Sequence, residues 1–235
     1  MNFQEKCYIC LKLKSKMRIA ITNLKGGVGK TTVTTNLAVA FAHKGKRVCI
    51  VDTDLGQKSS MEWSGNRAES LIHIPVYGAM SKQLNKEVAK LNEENDIVFI
   101  DGTPQLSELA ERTVLASDIL IIPISPSIYD LRAFESFYEK VQQINQVRED
   151  QGLKCVKTMI VVNRIAEKTN LGREILEALK DYEDVTVFKT KLANRISYAE
   201  CATYGMGVIE WKDVKARTEF SSLVEEIAKV IEELQ

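Results

Sequence analysis

The sequence predicts a doubly wound α/β fold, a mainly parallel sheet with helices on both faces. Three observations lead there. Short apolar blocks recur along the chain, and each is followed by a segment with helical spacing. The blocks are apolar throughout, as in Ile97-Val98-Phe99-Ile100 and Ile119-Leu120-Ile121-Ile122. Strands covered on both faces read this way, whereas half-exposed strands alternate. A glycine-rich turn, Gly26-Gly27-Val28-Gly29, joins the first block to the first helix.

Taken in order, strands are expected at Arg18–Thr22, Arg47–Asp52, Ile72–Tyr77, Asp96–Asp101, Asp118–Pro123 and Lys157–Asn163. Helical stretches fall near 30–44, 81–94, 106–116, 128–148 and 168–181, and right-handed crossovers would carry them to both faces of the sheet. Gly45 suits the left-handed position just past the first helix. The last helix places Phe220, Leu223, Val224, Ile227, Val230, Ile231 and Leu234 on one stripe.

A chain of 235 residues fits one domain with at most a short appendage. Residues 1–16 read as a separable, flexible leader and 17–235 as a single domain, with Met17 opening the first strand as a second candidate start. Lys+Arg and Asp+Glu are both 32, so global charge points neither toward nor away from nucleic acid. No run approaches the roughly 18 apolar residues of a membrane span, and the N-terminus carries no signal-peptide core. The five scattered cysteines suit reduced thiols in a cytoplasmic protein. Cys7 and Cys10 form a lone C-x-x-C, half of what a metal site needs.

The loop carries the chemistry. Lys25-Gly26-Gly27-Val28-Gly29-Lys30-Thr31-Thr32 lies between a strand and a helix. Glycines let backbone N–H groups turn inward onto phosphate oxygens, and the helix start adds its positive end. Lys30 is expected on the β- and γ-phosphates of ATP, the hydroxyl of Thr31 on Mg²⁺, and Thr32 on the α-phosphate. This is the arrangement of a P-loop NTPase. The common spacing would place a glycine at 24, where Leu24 stands; a denser pattern with an added lysine replaces it. Downstream, four apolar residues end in Asp101, a second candidate for holding Mg²⁺. Asp52 and Asp54 close the second strand, at the carboxyl edge where a parallel sheet places its site. They can also be read as two acids starting a helix near Ser59.

The lysine-flanked loop resembles the deviant Walker A motif of the ParA/MinD superfamily, most closely the small ParA-type plasmid partition proteins. That resemblance implies that Lys25 reaches across a nucleotide-sandwich homodimer to the partner's phosphates, as a charge-neutralising finger. It implies that Asp54 positions the attacking water and that Asp52 supports the Mg²⁺ and Lys30 region. Gly102-Thr103-Pro104 is similar to the second switch, and Pro123-Ile124-Ser125-Pro126-Ser127 with Asp130 to a proline-containing segment of ParA proteins. Asn163-Arg164 matches the position whose Asn contacts adenine, although a plain strand-end turn fits equally. Arg195-Ile196-Ser197-Tyr198 is similar to a late arginine segment. One departure stands out: ParA proteins read D-x-D-P-Q where this chain has Asp52-Thr53-Asp54-Leu55-Gly56-Gln57, closer to the MinD branch.

By this resemblance the chain is an Mg²⁺-dependent ATPase, slow without a partner, that dimerises on ATP, binds DNA non-specifically on the nucleoid and partitions a plasmid or chromosome with a small centromere-binding activator. Across Val187–Arg217, Lys189, Lys191, Arg195, Lys212, Lys215 and Arg217 oppose three acids, a net +3 suited to phosphates or to an ordinary solvated face. Three rivals stay open. A MinD-like positioning ATPase fits Leu55-Gly56, but the tail from Glu225 has one Lys against four Glu and makes a poor membrane anchor. An iron–sulfur carrier is suggested by Cys7 and Cys10. An ATP-dependent metabolic enzyme, such as a biotin-pathway synthetase, would have little use for Lys25.

Overall fold

The computed structural model describes residues 16–79, 82–104, 107–165 and 170–234. Cys7, Cys10 and nearly all of the expected leader lie outside the described residues. The described chain forms β1 Met17–Ile21, α1 Lys30–His43, β2 Val48–Asp52, α2 Ser59–Gly65, β3 Val76–Gly78, α3 Leu84–Glu94, β4 Ile97–Asp101, α4 Glu108–Leu115, β5 Ile119–Ile124, α5 Ile128–Asp150, β6 Lys157–Val162, α6 Asn170–Ala178, β7 Thr186–Val187, α7 Ser197–Thr203 and α8 Val214–Glu233. The seven strands lie in the order β3-β2-β4-β1-β5-β6-β7, and every pairing is parallel.

Side chains alternate across a strand, so a block apolar at every position serves two cores. Ile19, Ile21, Ile50, Phe99 and Ile121 face one side and pack with α1, α7 and α8. Ala20, Val51, Val98, Ile100, Leu120 and Ile122 face the other, under α3, α4 and α5. Helix α1 is enclosed by the sheet and α8, and eleven of its residues are buried; that is why it lacks a polar face. Gly45 sits at φ +77 just past α1, as expected. Along α8, Phe220, Leu223, Val224, Ile227 and Ile231 are buried, while Val230 and Leu234 pack at the edge of the same core.

Two readings are corrected. The strand expected at Ile72–Tyr77 forms only at Val76–Gly78, because it is an edge strand that pairs with β2 alone. Pro75 precedes it, offering a carbonyl to Ile50 N–H at 2.9 Å but no donor, and Ile72 is left 42 % exposed. The stretch expected as a helix over 168–181 is α6 followed by a single 3₁₀ turn at Leu179–Asp181. The short elements α2, β7 and α7 carry no periodic signal of their own; tertiary contacts form them.

Candidate phosphate-binding site

The site lies at the carboxyl ends of the central strands β2, β4 and β1, where the chain leaves the sheet. Between β1 and α1 the loop places Gly27 at φ +76 and Gly29 at φ +93, a region that side chains disfavour. A Cβ on Gly29 would also meet Asn163 Nδ2 at 2.2 Å. The loop is fastened on both flanks. Asn23 donates its amide to Pro123 O (2.7 Å) and accepts Lys25 N–H (3.0 Å). Asn163 donates to Val28 O at 2.7 Å.

A cleft of about 220 Å³ opens over this loop. Its lining includes Gly26, Gly27, Gly29, Lys30, Thr31 and Thr32, together with Asp52, Asp54, Gln57, Gly102 and Arg164. The expected phosphate residues, apart from the buried Val28, thus line one cleft together with two of the expected acids, Asp52 and Asp54. Asn163 itself is 5 % exposed and does not line the cleft; its amide braces Val28, and Arg164, at φ +58, faces the opening instead. The contact with the loop was not legible in the sequence, since residues 28 and 163 meet only when β6 closes on β5.

Lys30 is 8 % exposed, and its amine donates to Lys25 O at 2.9 Å. Burial holds that amine below its ordinary range, while Asp101 and Asp54 pull the other way. A cation sequestered from water with one neutral partner is poised for phosphate oxygens. The amine of Lys25 turns away from the loop and pairs with Asp130 at the start of α5.

Asp101 ends β4 and is 3 % exposed. Its Oδ2 accepts Thr31 Oγ1 at 2.8 Å and Ser60 Oγ at 2.6 Å, and its Oδ1 accepts Thr34 Oγ1 at 3.3 Å. Burial pushes the carboxyl up to about 6, with the hydroxyls opposing. Asp101 does not itself line the cleft but bonds Thr31, which does; a carboxylate set among hydroxyl oxygens has the oxygen chemistry of a hard cation such as Mg²⁺, which keeps several waters and takes further oxygens from phosphates. Thr31 and Asp101 are the groups that would hold it. Ser60 was not singled out from the sequence as a site residue, because it joins the site only through the fold of α2.

Asp52 has a different occupation. Its Oδ1 accepts Asp54 N–H at 3.0 Å, and its Oδ2 accepts Ser60 N–H at 3.1 Å and Met61 N–H at 3.3 Å. Burial pushes this carboxyl up and the three backbone donors pull it down. The carboxylate therefore starts α2, the second of the two sequence readings, while remaining at the edge of the cleft. Asp54 is half-buried, and its Oδ1 accepts Gln57 N–H at 3.2 Å. Gly102 passes close under Thr22, where a Cβ would come within 2.3 Å.

From the far end of α2 the site is tied to the α7–α8 region. Trp63 Nε1 donates to Met206 O at 3.2 Å, and Arg67 donates to Gly205 O at 2.7 Å. Arg67 also grips Glu210 with two hydrogen bonds of 2.7 and 2.9 Å, both side chains being at most 5 % exposed. A larger open cleft of about 430 Å³ lies beyond, beside the stacked Tyr204 and Trp211 rings. It offers one lysine, Lys212, beside an acid, Glu200, and no glycine-rich loop, so chemistry rather than size identifies the site.

Comparison with known proteins agrees with this geometry. The family described as the CobQ/CobB/MinD/ParA nucleotide binding domain matches residues 19–208. The chain is similar to the sporulation initiation inhibitor protein Soj of Bacillus subtilis, 28 % identical over 229 residues and covering 81 % of this chain and 89 % of that protein. It is similar to the chromosome-partitioning ATPase Soj of Thermus thermophilus, 27 % identical over 227 residues, with 84 % and 90 % covered. Its fold is like that of the septum site-determining protein MinD of Pyrococcus horikoshii, solved with Mg-ADP, at a TM-score of 0.68, 23 % identity, and 92 % and 97 % coverage. The chain belongs to the CobQ/CobB/MinD/ParA family of nucleotide-binding domains.

Proposed function

We propose that this chain is an Mg²⁺-dependent ATPase that dimerises on ATP, binds DNA without sequence preference, and partitions a plasmid or chromosome with a centromere-binding activator. The observation that carries the reading is the pair of lysines on one phosphate loop. Lys30 lines the cleft, and Lys25, next in the chain to the lining Gly26, has a side chain 37 % exposed. One lysine suffices to bind a nucleotide; a second on the same loop has a use when another molecule's phosphates are brought against it. Mg²⁺, when bound, neutralises phosphate charge and orients the terminal phosphoryl group. The backbone N–H groups from Gly26 to Thr32 and the Lys30 amine would bind the phosphates, Thr31 and Asp101 would hold the metal, and Asp54, which lines the same cleft, would orient the attacking water.

The DNA reading is supported by how the late acids are spent. Glu210 is taken by Arg67 and His43, and Asp213 caps α8 through Lys215 N–H and Ala216 N–H. Lys212, Lys215 and Arg217 stay exposed beside them. Arg195, by contrast, pairs with Glu219 at 3.3 Å. A second reading, a MinD-like ATPase positioning another cargo, is favoured by Leu55-Gly56 in the first switch; no described helix is long and apolar enough to cross a membrane.

The test measures phosphate release, particle mass and DNA retention with ATP, with ADP and across a salt series. ATP-specific dimers that hold DNA and release it with rising salt are expected. Weak, equal retention in all nucleotide states would remove the DNA function, and absence of phosphate release would remove the ATPase.

A further inference from the structure

Helix α2 spans only Ser59–Gly65, too short to be stable alone, and it is held at both ends. At its start, Asp52 accepts Ser60 N–H and Met61 N–H, and Ser60 Oγ donates to Asp101 at 2.6 Å. Just past its end, Arg67 N–H donates to Ser64 O at 3.1 Å, which fixes Arg67 to the last turn. The guanidinium then donates to Ile72 O at 2.8 Å, to Gly205 O at 2.7 Å and to both oxygens of Glu210. Trp63 adds its bond to Met206 O, and the guanidinium lies over the Trp63 ring, 5.4 Å from its centroid. A Cβ on Gly205, at φ +61, would come within 2.4 Å of Arg67 N, so the two segments meet without slack.

The turn at 205–210 is itself anchored on α1. Glu210 pairs with His43 at 2.9 Å, Asn36 Oδ1 accepts Val208 N–H, and a Cβ on Gly207 would meet Val39 at 2.8 Å. Helix α1 also carries Thr31 and Thr34, which donate to Asp101. The contacts therefore close a ring. It runs from Asp101 through Ser60 and α2 to Arg67, across Glu210 to α1, and back through Thr31 and Thr34 to Asp101.

We propose that Arg67 is a positioning residue for the Mg²⁺ site, with α2 as the strut through which it sets Ser60 on the Asp101 carboxylate. The inference rests on the reading of Asp101 and Thr31 as the groups that would hold the metal. Arg67 does not line the phosphate cleft, so it acts only through what it holds. Hydrogen bonds from outside the metal's own ligands orient a ligating carboxylate and tune its affinity. Ser60 supplies such a bond, and the placement of α2 decides where Ser60 stands. A two-turn helix fastened only at its start would pivot about Asp52. Arg67 removes that freedom from the other end. Its pair with Glu210 is at most 5 % exposed on either side, so water does not compete for the joint.

Titrations of ADP binding to the full chain over a range of Mg²⁺ test this. Arg67→Lys keeps a charge beside Glu210 but loses the fork that also reaches Gly205 O and Ile72 O. It is expected to raise the Mg²⁺ concentration for half-maximal ADP binding about fivefold, with binding in the absence of Mg²⁺ unchanged. Trp63→Phe, which loses only the bond to Met206 O and part of the ring, is the second variant should Arg67→Lys not fold; melting temperatures check both. Added to Ser60→Ala, Arg67→Lys should raise the Mg²⁺ requirement no further than Ser60→Ala alone, because both act on one bond. If Ser60→Ala raises the requirement but the folded Arg67→Lys and Trp63→Phe chains do not, the strut is refuted and the metal reading of Asp101 stands. Full additivity of Arg67→Lys with Ser60→Ala also refutes it, since Arg67 would then act by another route. If Ser60→Ala leaves the Mg²⁺ requirement unchanged, the attachment of Ser60 to a metal site fails and the strut with it.

Discussion

Ser60 Oγ lies 2.6 Å from Oδ2 of Asp101, on the same oxygen that receives Thr31 Oγ1 at 2.8 Å. The first turn of α2 is thereby attached to the acid that would hold Mg²⁺. Ser60→Ala removes a hydroxyl donor from a buried carboxylate, at a cost of about 1–2 kcal/mol in how well that carboxylate is held. The Mg²⁺ concentration needed for half-maximal nucleotide binding should rise about tenfold, while binding without Mg²⁺ changes little. Nucleotide titrations over a range of Mg²⁺ check this, and an unchanged Mg²⁺ dependence would separate Ser60 from the metal site.

Asp54 lines the same cleft as the phosphate loop. Asp54→Ala should retain ATP-dependent dimers and lose hydrolysis by about a hundredfold or more, the usual scale for a group that directs a proton or a water. Mass measurement and phosphate release on the same sample give both readings. Loss of the dimer along with hydrolysis would make Asp54 an organiser of the interface instead.

Gly29 and Gly102 are needed for different reasons. Gly29→Ala meets both φ +93 and the Asn163 amide at 2.2 Å. About 1–2 kcal/mol of backbone strain alone is expected, and the loop must also part from Asn163, so nucleotide affinity should fall together with stability. Gly102→Ala drives a methyl into Thr22, within 2.3 Å, at an ordinary φ. Its cost is crowding at the end of β4 against Thr22 Cβ and Oγ1, which Thr22→Gly, lacking both atoms, should partly relieve. Thermal melts with and without nucleotide separate the two.

Glu210 gives the fold a pH dependence. Burial pushes its carboxyl up, but hydrogen bonds from Arg67, His43 and Gly207 N–H outweigh this and hold it at about 2, against an ordinary 4.5. The folded state therefore binds fewer protons than the unfolded chain between these values. The stability from this group is fully present above about 4.5 and is lost as pH falls toward about 2. Glu210→Gln should melt lower at neutral pH, by about 2–4 kcal/mol since Arg67 is left buried without its partner. It should also show a shallower loss of stability between pH 5 and pH 3 than the unaltered chain. Denaturant titrations at those pH values check the slope.

Asp52 shows where sequence reasoning divided. The family resemblance assigned it to the Mg²⁺ and Lys30 region, while its place at a strand end also allowed the start of a helix. The structure spends its oxygens on the N–H groups of Asp54, Ser60 and Met61. A run of seven residues has too few turns for a hydrophobic period, so α2 was legible only as a possible helix start near Ser59, and its Ser60 and Arg67 contacts were not legible. Asn163 illustrates the same limit. Its place at the end of β6 was readable, but its bond to Val28 joins residues 135 positions apart.

The sequence by itself determined the layered α/β fold, the phosphate loop and the order of its acids. Those features reside in local patterns: apolar blocks that can be covered on both faces, glycines that permit positive φ, and a lysine and threonines placed by the first turn of a helix. Only the tertiary structure decided which groups each of these residues touches. It put Ser60 on Asp101, Asn163 under the loop, and the amine of Lys25 on Asp130. The reason is physical. A carboxylate removed from water takes whichever donors the packing brings to it, and those donors come from strands and helices that adjoin in the sheet but not in the chain.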